Sequence, residues 1–119
     1  MLAFGASALG ATALIPHTHL EKSEPGKDST VTAAPKELKL FFSEAVKPSI
    51  ARVRLLASDS SVVTLGVLKA GDGKPAPIVA PVTGAIKPGK YRVMWRVTGD
   101  DGHPISGNYV FTVKPKSAN

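Results

Sequence analysis

At 119 residues the chain has room for one domain, and once an apolar leader is set aside the remainder supports one modest core and no second domain. It contains no cysteine, which excludes a disulfide framework and a thiolate metal site, so any metal must be held by nitrogen and oxygen. The formal charge of +6, from 15 Lys+Arg against 9 Asp+Glu, is scattered singly along the sequence without a block or a helical stripe, and reads as a solvated surface and not as a nucleic-acid-binding face.

Residues 1–16 are small and apolar and stop abruptly at His17. That length fits a secretory leader and is too short for a membrane span. No basic segment precedes it, and Leu14-Ile15-Pro16 is a poor small-x-small cleavage site, so either the start lies upstream or export departs from the simple pattern; a lightly packed N-terminal tail is the alternative. The domain is therefore taken as 17–119.

Leu20 to Pro35 is polar, with a turn signal at Ser23-Glu24-Pro25-Gly26-Lys27-Asp28, and Leu20 and Val31 dip toward the core. Glu37 to Ser43 reads as a strand with Leu38, Leu40 and Phe42 on one face. Ile50 to Leu56 alternates again, Ala51, Val53 and Leu55 inward and Arg52 and Arg54 outward. After a turn at Ser58-Asp59-Ser60-Ser61, a strand is expected over Val62 to Leu68, then a loop from Ala70 to Pro75 and a short strand around Ile78 to Val82. The clearest pair closes the chain: Lys90 to Val97, with Tyr91, Val93, Trp95 and Val97 on one face, and Asn108 to Val113, with Tyr109, Phe111 and Val113 on one face. Many short strands, close turn signals and no helical period predict an all-β fold, a two-sheet β-sandwich.

Between those last strands lies Thr98-Gly99-Asp100-Asp101-Gly102-His103-Pro104-Ile105-Ser106-Gly107. Asp101 and His103 are two positions apart, and in extended chain such side chains point the same way, so a carboxylate oxygen and an imidazole nitrogen can meet at one ion. Read blandly, Asp101 caps a turn and His103 is merely exposed; Asp100 is a supporting or solvated neighbour. The other histidines are His17 and His19. If the leader is removed before His17, its ring and free α-amine form a two-nitrogen chelate suited to the tetragonal N,O geometry of Cu(II). His19 shares the side of His17 on a strand and is either a fourth ligand or an exposed strand residue.

These residues resemble the CopC family of periplasmic copper-binding proteins. The resemblance is carried by His17 to Pro25, by Ala34 to Glu44, by Gly89 to Val97 and by Asp101-Gly102-His103-Pro104-Ile105-Ser106-Gly107 leading into Tyr109-Val110-Phe111. It implies an immunoglobulin-like, cupredoxin-like Greek-key β-sandwich that is exported and binds Cu(II) through the His17 ring and amine, Asp101 and His103. It further implies a monomeric copper carrier or buffer, not an enzyme, with a copper-transporting membrane protein as a partner. Some members add a methionine-rich Cu(I) site; with Met1 and Met94 the only methionines, that site is expected to be absent. Two alternatives from other classes are a metal-free interaction module and an oxidative copper enzyme with an N-terminal histidine chelate.

Overall fold

The computed structural model describes residues 18–115. Strict alternation builds its central strands. In β3 (Glu37–Phe42), Leu38, Leu40 and Phe42 are buried while Glu37, Lys39 and Phe41 are half-buried. In β8 (Gly89–Thr98), Tyr91, Val93, Trp95 and Val97 are buried and Lys90, Arg92, Met94 and Arg96 exposed. A period of two with one apolar face fixes register, since a slip of one residue would turn every core side chain to water.

The other strands among the described residues are β1 (Leu20–Glu24), β2 (Thr30–Val31), β4 (Arg52–Ala57), β5 (Val62–Val63), β6 (Lys69–Ala70), β7 (Ile78–Pro81) and β9 (Pro104–Val113), with a 3-10 turn at Pro48–Ile50. They form a four-stranded sheet in the order β1-β3-β7-β6 and a five-stranded sheet in the order β2-β9-β8-β4-β5. All pairings are antiparallel except β2 with β9. The chain is thus the expected two-sheet sandwich.

The core fills the space between the sheets with Leu38, Leu40, Phe42, Leu55, Ile78, Val93, Trp95, Tyr109 and Phe111 among its members. Phe42 meets Trp95 edge-on at 5.1 Å and 72°, linking the two sheets, and Tyr91 stacks on Phe111 at 5.7 Å. Each large side chain buried contributes about 1.5–3 kcal/mol. The Tyr91 hydroxyl donates to the Lys87 carbonyl at 2.7 Å and accepts the Lys87 N–H at 2.9 Å, so burying it leaves no polar atom unpaired. Leu20 and Val31 pack against this core as expected.

Several elements depart from the sequence reading. Of the strand expected over Val62 to Leu68 only β5 at Val62–Val63, beside β4, is formed; the chain then crosses to the other layer, where β6 at Lys69–Ala70 lies beyond the expected strand and beside β7. Leu65 makes only an isolated bridge to Val82, and Gly66 N–H donates to the Pro81 carbonyl. β1, read only as polar chain, is a strand against β3. β4 starts at Arg52 because Pro48 opens a 3-10 turn that leaves Ile50 outside the strand and exposed.

Candidate metal centre

β8 and β9 run in unbroken antiparallel register from Gly89↔Val113 to Thr98↔Pro104, a ten-residue ladder that ends in the loop 99–103. Gly99 N–H donates to the His103 carbonyl at 3.3 Å and Gly102 N–H to the Gly99 carbonyl at 3.0 Å. Gly102 sits at φ 81°, a conformation costly for any residue with a Cβ. Asp101 Oδ1 accepts the His103 N–H at 3.0 Å, closing an Asx turn. The two side chains therefore converge through a tight turn, and not through the extended chain that the i, i+2 spacing suggested.

Their donor atoms are adjacent: Asp101 Oδ2 lies 3.1 Å from His103 Nδ1, with side-chain exposures of 38% and 72%. Two neighbouring ligands of one ion at bond lengths near 2.0 Å stand about 2.8 Å apart in square geometry. The two atoms are within hydrogen-bond distance of each other, a separation close to that of two adjacent ligands, and their nitrogen and carboxylate donors could hold a transition-metal ion. Among the described residues no group of three His, Asp or Glu side chains forms. His17 lies outside the described residues.

A carboxylate that the sequence reading passed over ties the N-terminal segment to this loop. Glu44, just beyond β3, accepts with Oε1 both the Thr18 hydroxyl and the Asp100 N–H, the latter at 3.0 Å. These hydrogen bonds hold its carboxyl below the usual carboxylate range, Thr18 contributing most and Asp100 next. Thr18 is buried. Gly99 makes room for the junction, because a Cβ there would stand 2.8 Å from Glu44 Oε1 and closer still to the Thr18 hydroxyl. The residue before Thr18 in the chain is His17.

His19 is anchored by its backbone, its N–H donating to Ser43 Oγ at 3.0 Å and its carbonyl accepting the Ser43 N–H at 2.8 Å. Its ring lies 3.8 Å from Glu21 Oε2. Glu44 had no local signal beyond its place in a turn, since its partners are 26 and 56 residues away in sequence.

A two-sheet β-sandwich that presents an Asp–His pair at a hairpin tip, with oxygen and nitrogen donors alone, has the form of a small metal-binding β-domain. The chain belongs to the CopC family: the profile of the CopC domain matches residues 20–114. It is 38% identical over 104 residues to Copper resistance protein C of Escherichia coli, covering 82% of each chain. It is 32% identical over 98 residues to Protein YobA of Escherichia coli strain K12, covering 82% of this chain and 79% of that one. The crystal structure of CopC from Methylosinus trichosporium OB3b matches with a TM-score of 0.77 at 32% identity, covering 87% of this chain and 99% of that one. That of PcoC, described as a methionine-rich copper resistance protein from Escherichia coli, matches with a TM-score of 0.73 at 34% identity, covering 83% and 100%. The family is one of copper-binding proteins and not of enzymes, which removes the oxidative-enzyme alternative.

Proposed function

We propose that the chain is an exported, periplasmic copper carrier that holds one Cu(II) ion through the His17 ring and α-amine, Asp101 and His103. The observation that supports this reading is the Asp101–His103 pair at 3.1 Å, in a loop joined through Glu44 to the residue that follows His17. His19 is the candidate for a fourth position. The resident ion is Cu(II), because the donors are nitrogen and carboxylate oxygen and the chain has two methionines, Met1 and Met94, too few for a thioether cage. In this respect it differs from the methionine-rich PcoC. The protein works as a monomer and passes its ion to a copper-transporting membrane protein.

Imidazole and amine must be deprotonated to ligate, so acidification weakens copper binding. The decisive experiment titrates Cu(II) by electron paramagnetic resonance into protein that begins at His17, beside a form retaining residues 1–16 and the His103→Ala, Asp101→Ala and His19→Ala variants. A nitrogen-rich tetragonal signal at one equivalent is expected, degraded by the leader and by loss of His103 or Asp101. A change in the His19→Ala spectrum adds His19 to the ligand set. Identical spectra from all forms would overturn the assignment.

A further inference from the structure

The chain has four arginines, Arg52, Arg54, Arg92 and Arg96, and eleven lysines. They come in two close pairs, one on β4 and one on β8, and all four project from the outer face of the five-stranded sheet, where each is exposed. Arg52 pairs with Arg96, Arg54 with Met94 and Leu56 with Arg92 across the β4–β8 ladder. Like charges set opposite each other in a sheet are unfavourable. Among the described residues none of the four enters an ion pair, and the outward positions of β2, β4, β5, β8 and β9 carry no acidic side chain.

Exposed apolar side chains stand among these arginines and at the β5 edge of the same sheet. Met94 is 39% exposed and Val62, registered beside Leu56, is 58% exposed. A shallow groove is lined by Leu56, Ser58, Lys90, Arg92 and Val110. Arg92 is oriented by donating to Asn108 Oδ1. Exposed methionine and arginine are the residue types enriched where proteins meet, and the planar guanidinium fork grips carboxylates two at a time as an ammonium does not.

We propose that this arginine-ringed face is a docking surface for an acidic protein segment whose carboxylates pair with Arg52, Arg54, Arg92 and Arg96. The inference stands on charge and topology and is independent of the copper site, although Arg96 lies two residues before Thr98, where the loop 99–103 begins. A partner seated here would reach the mouth of that loop.

The test measures fluorescence anisotropy of labelled decaglutamate with the full chain at low ionic strength. Three proteins are compared: the natural sequence, the R52Q/R54Q/R92Q/R96Q variant, and a K22Q/K39Q/K69Q/K74Q variant that loses the same charge from the four-stranded sheet and its loop. Circular dichroism checks that each is folded. The arginine variant should bind at least about tenfold more weakly and the lysine variant within about threefold of the natural protein, with binding lost at high salt. If the quadruple arginine variant fails to fold, R52Q/R54Q should read a loss of roughly threefold. Equal losses in the two variants, no binding of decaglutamate by the natural chain, or capture of phosphatidylglycerol vesicles without the peptide would each overturn the proposal.

Discussion

Asp101 and His103 were legible as a pair because their spacing and the flanking glycine and proline are local features. The residue that fastens their loop to the N-terminal segment was not, since Glu44 gains its meaning only when Thr18 and Asp100 fold onto it. Supporting partners of metal ligands typically govern affinity by 10–100-fold. Glu44→Ala is accordingly expected to weaken Cu(II) binding by roughly tenfold or more while the domain stays folded, as read by competition with a chelator of known affinity. Gly99→Ala should act in the same direction, because its methyl displaces Thr18 from Glu44. Tyr109 supplies a different residue-scale expectation. Burial pushes its phenol up to about 12 from 10.0, and its oxygen has no hydrogen-bond partner among the described residues. A folded pKa above the unfolded one means stability present below pH 10 and lost as pH rises toward 12. Thermal melts of Tyr109→Phe should therefore be near neutral in effect at pH 8 and lack that alkaline decline.

Alternation predicts the β8–β9 hairpin but not its length: the second strand begins at Pro104 and not at Asn108, so the ladder continues right up to the loop. Ile105 is the one aliphatic side chain between Pro104 and Gly107, too little for alternation alone to reveal the strand there. Gly107 faces the Trp95 ring, and a Cβ there would stand 2.6 Å from Trp95 Cζ2. Gly107→Ala must push the indole off Phe42 or bend β9, and overpacking of this kind costs about 1–3 kcal/mol. A urea titration should show that loss as a lower midpoint at unchanged slope. The expectation for Val62 to Leu68 failed for a related reason. Its apolar residues suit either sheet, and only the pairing partners decide where one strand ends and the other begins.

For the whole molecule, the sandwich was legible because buried and exposed residues alternate along β3, β4, β8 and β9, whereas strand order was not, being a property of long-range pairing. The gathering of four arginines on one face is a case of the same thing: separation along the chain says nothing about separation across a ladder. The core is complete without the candidate ligands, since Asp101, His103 and His19 are all exposed. Chelation of copper should leave the far-ultraviolet circular dichroism spectrum unchanged, and added Cu(II) should raise the melting temperature by mass action alone.

Thr18, Glu44 and the 99–103 loop come from the beginning, the middle and the end of the described chain, and one carboxylate joins them. Contacts of such long range carry the entropy of closing the loops between them. The junction is therefore a checkpoint on completeness: a nascent, slipped or partly unfolded copy lacks it. Its presence reports that the segment after β3 and the loop after β8, one from each sheet, have come together.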